Sequence, residues 1–112
     1  MPELKKYKMF IDGEWVDSES KKTFETLNPE NNEPWAVAPE ASAKDVDRAV
    51  KAAQKAFEGK WPKLIPRDRA KFLRAIADQL RKNAEMLGEI ETIDTGKLFR
   101  ETKQQATYIA EY

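Results

Sequence analysis

Along the first forty residues apolar and polar positions alternate. From about Ser42 onward apolar residues recur every three or four places, so the chain changes from strand to helix between Pro39 and Ser42. Tyr7 to Ile11 and Glu14 to Val16 are extended runs on either side of Asp12-Gly13, a dipeptide suited to the positive φ angles of a two-residue hairpin turn. The polar run Asp17 to Lys22 makes a second turn and leads into Thr23 to Leu27, again with period two. A small antiparallel meander is expected. Asn28 to Pro34 is dense in turn residues and reads as a loop, and Trp35 to Ala38 supplies one more short strand before Pro39.

Ser42, with Asp45 three places on, has the form of a capping box at a helix start. Val46, Ala49, Val50, Ala53, Ala56 and Phe57 then fall on one face. Gly59 is expected to end this helix in the left-handed conformation, with Trp61-Pro62 after it. A second helix begins near Pro66, where a missing N–H costs nothing, and carries Ala70, Leu73, Ile76, Ala77 and Leu80 as its stripe. Asn83 either caps or kinks a continuation bearing Met86, Leu87, Ile90 and Ile93, which stops at Asp94-Thr95-Gly96. Leu98 to Tyr112 is helical again, and its pattern meets no stop signal before the last residue, so the element reads as interrupted. The expected class is α+β: short antiparallel strands over about residues 7–38, then three to four helices over 42–112.

Composition narrows the chemistry. The 112 residues hold 20 basic and 20 acidic side chains with no net charge, and no long run of one sign marks a nucleic-acid partner. No apolar stretch approaches the roughly 18–20 residues that span a bilayer, and the start lacks the apolar core of a secretion signal, so a cytoplasmic location is expected. Cysteine and histidine are both absent, which removes disulfides, thiolate or imidazole metal ligands, cysteine nucleophiles and the commonest general base. Leu, Ile, Val and Phe make up about a fifth of the chain, close to the roughly 20% below which chains drift towards disorder. The chain is expected to lean on something else to bury its surfaces.

The remaining candidate sites have plain structural readings. Asp94-Thr95-Gly96-Lys97 superficially suggests phosphate binding, but Glu91 stands where a P-loop needs its first glycine and no strand precedes it, so it reads as a helix end. Glu89 and Glu91 point to different helix faces and do not pair. Trp15, Trp35 and Trp61 read as core rings beside turns. Arg67, Arg69, Lys71, Arg74, Arg81 and Lys82 are interspersed with Asp68 and Asp78 and read as the solvated face of the second helix. Ser18, Ser20 and Ser42 have no base in any readable arrangement and no nucleophile elbow around them.

The order of elements and the residues at their joints resemble the aldehyde dehydrogenase superfamily. The resemblance runs through Phe10-Ile11-Asp12-Gly13-Glu14-Trp15-Val16, Phe24 to Pro29, Val37 to Val50, Ala52-Ala53 to Phe57, Trp61, Arg67 to Arg69, the Leu73 to Leu80 helix and Glu91 to Lys97. It covers nearly everything from Tyr7 to Tyr112. No one motif is decisive, but several in register are. Two positions depart: Asn32 where the family's turn usually has Gly, and Leu98 where Pro commonly follows Gly-Lys.

The resemblance implies that residues 1–112 are an incomplete N-terminal part of an α/β, Rossmann-like coenzyme domain. The whole enzyme would oxidise an aldehyde to a carboxylic acid with NAD or NADP through a cysteine thioester. In the family the nucleophilic cysteine, the glutamate base, the oxyanion-hole asparagine and the phosphate-binding loop come later than Tyr112. No catalytic or cofactor-binding residue is therefore carried over, and the chain alone is expected to be inactive and to bind no cofactor. The remainder of the enzyme is the implied partner, in a homo-oligomer without nucleic acid or membrane. One family feature does map here: a monovalent-cation site using backbone carbonyls near Thr26-Leu27 and the carboxylate of Asp94, oxygen ligands that suit a hard ion. The competing reading is a free-standing, noncatalytic interaction module of amphipathic helices.

Overall fold

At Asp12 and Gly13 the backbone takes φ of 52° and 82°, the left-handed pair of a type I′ turn. It joins β2 (Met9–Ile11) to β3 (Glu14–Val16), antiparallel with Phe10 opposite Trp15, as the dipeptide led one to expect. The computed structural model describes residues 3–112, which divide into two compact units, residues 3–27 with Pro34–Lys63, and Asn28–Glu33 with Leu64–Tyr112.

In the first unit the strands do not form one continuous meander. The β2–β3 hairpin is a sheet of its own, and a second sheet has the order β1 (Lys5–Lys6), β5 (Glu33–Pro39), β4 (Thr23–Asn28). The four residues between β4 and β5 are too few for a parallel crossover, which takes a dozen or more, so these neighbours run antiparallel. β1 pairs with β5 in parallel, Lys5 against Ala36 and Lys6 against Val37, and Tyr7 N–H continues the ladder to the Val37 carbonyl at 2.9 Å. β1 lies before residues 7–38, over which antiparallel strands were expected, and adds a parallel pair to them. Both side chains of β1 are exposed, so the strand rests on backbone bonds and leaves no alternation to read. Ala36, on the central strand, is fully buried.

Helix α1 (Ala43–Glu58) starts at the capping box expected of Ser42 and Asp45, with both reciprocal bonds formed. Its end corrects the reading of Gly59, which sits at φ −86°, outside the left-handed region. A Cβ there would stand 2.9 Å from the Lys55 carbonyl oxygen, so close approach to the helix end favours glycine. Trp61–Lys63 follow as one 3₁₀ turn.

The second unit is helical. α2 (Pro66–Lys82) begins with proline in its first turn. Asn83 makes no side-chain cap; its Nδ2 donates back to the Gln79 carbonyl at 2.8 Å while the backbone at φ −110°, ψ 12° breaks the helix. Of the two roles left open for Asn83, the break is the one observed. α3 (Ala84–Thr95) ends at Gly96 with φ 73°, as expected. α4 (Phe99–Ile109) packs on α3 at Gly88, where a Cβ would lie 2.8 Å from Lys103 N, and at Thr102, which is fully buried and donates from Oγ1 to the Gly88 carbonyl at 2.9 Å. α4 stops at Ile109, short of the expected Tyr112. Its end is closed by Arg81 of α2, whose Nη2 donates to the Ala110 carbonyl at 2.8 Å.

Candidate functional site

A buried carboxylate is the first place to look for chemistry, and Asp45 is 2% exposed. Its Oδ2 accepts from Ser42 N–H at 2.9 Å, Ser42 Oγ at 2.8 Å and Ser18 Oγ at 3.0 Å, and the Glu19 N–H lies 3.2 Å from both carboxylate oxygens. Arg48 Nη2 stands 3.5 Å from Oδ1. The hydrogen bonds from Ser42, Glu19 and Ser18, the Ser42 backbone N–H foremost, hold the carboxyl down from the ordinary 3.8 to about 2. A carboxylate so well supplied with donors is a poor base for activating Ser18 or Ser42. The fold therefore gathers Ser18 and Ser42 round one carboxylate for hydrogen bonding, with Ser20 Oγ 3.0 Å from Ser18 Oγ. Sequence reasoning found the Ser42–Asp45 half from its spacing and missed Ser18, 27 residues away.

The Asp94-Thr95-Gly96-Lys97 turn is a helix end in the structure as well. Thr95 Oγ1 donates to the Glu91 carbonyl at 2.6 Å, and Lys97 Nζ bonds Glu91 Oε1 at the same distance. A phosphate cradle needs a free lysine and a strand aiming the loop; here the lysine is neutralised and a helix leads in. This turn accordingly does not have the form of a phosphate cradle. The turn lies against the β4–β5 tip in a shallow groove of about 620 Å³ lined by Asn28, Pro29 and Glu30 on one side and by Thr92, Ile93 and residues 95–99 on the other. Among the described residues no group of three or more Asp, Glu, His or Cys is placed to hold a metal.

Of the expected cation ligands, Thr26 and Leu27 are neighbours on β4, in the first unit, and Asp94 is exposed in the last turn of α3, in the second. The core reading of the tryptophans needs correction. Trp15 is 68% exposed and packs at a tilt against the exposed Phe10 at a centroid distance of 5.0 Å; Trp61 is exposed, and only Trp35 is half-buried, edge-on to Tyr7. Both rings of the Phe10–Trp15 pair point away from the hairpin face that carries the buried Ile11. The basic residues of α2 are mostly solvated, Lys71 paired with Asp68 at 2.9 Å and Arg81 with Asp78 at 3.2 Å. Arg69 and Arg81 go further, each giving a bond to a backbone carbonyl. No helix among the described residues is long and apolar enough to cross a membrane.

Comparison with known proteins bears on the same stretch. A family model described as the aldehyde dehydrogenase family matches residues 15–112. An aldehyde dehydrogenase of Aspergillus niger is 49% identical over 89 residues, covering 80% of this chain and 18% of its own length. Aldehyde dehydrogenase family 2 member C4 of Arabidopsis thaliana is 44% identical over 101 residues, 89% of this chain and 20% of that one. Among solved structures, an NAD-dependent aldehyde dehydrogenase from Sinorhizobium meliloti superimposes with a TM-score of 0.92 at 34% identity, over 96% of this chain and 22% of that chain. Betaine aldehyde dehydrogenase from Staphylococcus aureus, in complex with NAD+, gives 0.85 at 38% identity over 93% and 22%. The chain thus spans about a fifth of the length of the relatives it matches. In sequence along most of its length and in fold along nearly all of it, the chain belongs to the aldehyde dehydrogenase family.

Proposed function

We propose that these residues form the N-terminal part of the coenzyme domain of an NAD(P)-dependent aldehyde dehydrogenase, whose whole chain oxidises an aldehyde to a carboxylic acid through a cysteine thioester. The observation that carries this reading is the family match over residues 15–112. The exposed helix faces support it. Val46, Val50 and Phe57 of α1 and Phe72, Leu73 and Ile76 of α2 all lie open, the surface expected of a part whose cover lies elsewhere. This chain supplies scaffold, and the thiolate, the base and the phosphate loop come from further along the enzyme. A cytoplasmic homo-oligomer completes the proposal.

The test is a pair of assays for aldehyde-dependent NAD(P)H formation, one on the 112-residue chain and one on a protein whose reading frame continues past it. Activity is expected in the longer protein alone, and turnover by the short chain above background would overturn the reading. Backbone carbonyls of Thr26 and Leu27 and the carboxylate of Asp94 are proposed as ligands of a monovalent cation in the whole enzyme. Asp94→Asn should then abolish the dependence of its thermal stability on added potassium or sodium. An unchanged dependence counts against the site.

A further inference from the structure

The hydrogen bonds of Asp45 go to two places far apart in sequence. One set, from Ser42 N–H and Oγ, closes the first turn of α1, and the Asp45 N–H returns a bond to Ser42 Oγ at 3.3 Å. The other set, from Ser18 Oγ and Glu19 N–H, fastens the turn at residues 17–22. Beyond that clamp the turn meets the rest of its unit through Glu40 N–H on the Lys22 carbonyl and through exposed ion pairs such as Lys8–Asp17 at 3.8 Å. Its internal bonds are short-range: Lys21 N–H to the Ser18 carbonyl at 2.9 Å, Lys22 N–H to Ser20 Oγ at 3.2 Å, and the Ser18–Ser20 hydroxyl contact at 3.0 Å. Lys21 stands at φ 57°, a conformation that costs a non-glycine residue about 1–2 kcal/mol and must be held by its surroundings. All its residues except Ser18 are exposed. The ion pair between Lys44 and Glu19 lies in solvent, where such pairs contribute little.

We infer that the Asp45 carboxylate is a two-ended latch: it clamps the 17–22 turn to the start of α1, and the turn opens as a local unit of its own when that clamp is lost. The segment it controls runs directly into β4, and the Lys22 carbonyl receives Glu40 N–H at 2.9 Å, so the latch also sets where β4 enters its sheet. Local opening of this kind is set by few buried apolar contacts and a handful of hydrogen bonds, and both conditions hold here.

Amide hydrogen exchange on the full chain tests it, read at Glu19 and Lys21 in the turn, at Asp45 and Val46 in the first turn of α1, and at Ala53 in mid-helix. Ser18→Ala should speed exchange at Glu19 and Lys21 by about tenfold or more and leave Asp45 and Val46 unchanged. Ser42→Ala should do the reverse. Asp45→Asn should speed exchange at both ends while Ala53 keeps its protection. The inference fails if Glu19 stays protected in Asp45→Asn or if Ser18→Ala loosens α1 as much as the turn. Should Asp45→Asn not fold, the two serine variants decide the matter between them.

Discussion

At Gly96 the backbone stands at φ 73°, and an added Cβ would meet Pro29 Cγ at 3.1 Å. Left-handed geometry and a close neighbour both oppose a side chain, so Gly96→Ala should destabilise the fold by about 1–2 kcal/mol in denaturant unfolding. Asn32 stands at φ 59° in the β4–β5 tip, where the family's turn usually has glycine. Asn tolerates that region because its short side chain bonds locally, so Asn32→Gly should change stability by no more than about 0.5 kcal/mol. A larger effect would show that the Asn32 side chain has a role of its own. At Asp45 the direction of the shift fixes a pH dependence. The folded carboxyl is lowered to about 2 while the unfolded one titrates near the ordinary 3.8. Its contribution is therefore complete above pH 4 or so and lost as pH falls through 2. Acid unfolding followed by circular dichroism should show that loss in the native protein, and Asp45→Asn should flatten the profile across that window.

The contact between α3 and α4 depends on Gly88 and Thr102. A methyl group on Gly88 would stand 2.8 Å from Lys103 N and 2.9 Å from Lys103 Cα, so backbone rather than a flexible tip is in the way. Gly88→Ala must push the helices apart and should cost about 1–3 kcal/mol, despite alanine's better helix propensity. Thr102→Val keeps the shape but loses the Oγ1 bonds to the Gly88 and Phe99 carbonyls and to Thr92 Oγ1, and should cost about 1–2 kcal/mol. If both variants unfold at the native denaturant midpoint, the helices are held by other contacts. What the sequence disclosed about these elements follows from how local their causes are. The Asp12-Gly13 turn, the Ser42–Asp45 box and the Gly96 stop are each written within four residues, and each was legible. The end of α4 was not, because it depends on Arg81, 29 residues away. Nor was β1, whose two exposed lysines join β5 through backbone bonds that impose no pattern. Gly59 and Trp15 misled for a different reason: a glycine after a helix is more often left-handed and a tryptophan beside a turn more often buried, and here neither is so. The candidate site divides the same way, since the Asp94–Lys97 turn could be recognised as a helix end while the gathering of Ser18 onto Asp45 could not.

Across the whole molecule the distribution of apolar surface carries the functional argument. Val50 of α1 is 61% exposed and Phe57 67%, although both belong to the apolar stripe that a surface helix ordinarily buries. Arg48, Lys51, Ala52 and Lys55 of α1 border a groove with Ile11, Asp12, Glu14 and Val16 of the hairpin, across which Lys55 Nζ reaches Asp12 Oδ2 at 3.4 Å. The apolar stripe of the helix thus stays open to solvent. α2 has no fully buried residue at all, and Leu73 is 61% exposed. Apolar stripes left open in this way suit the proposed reading, in which further chain of an aldehyde dehydrogenase covers them. That account makes a prediction with opposite signs in two settings. In the 112-residue chain Val50→Lys and Leu73→Lys replace exposed apolar groups with charge, so stability should move by no more than about 0.5 kcal/mol while self-association, followed by sedimentation, declines. In the longer enzyme the same lysines would be shut away from water without a partner, which costs several kcal/mol, so its melting temperature and soluble yield should fall sharply. Lysines tolerated equally in both settings would mean that these faces stay open in the assembled enzyme and serve some other partner.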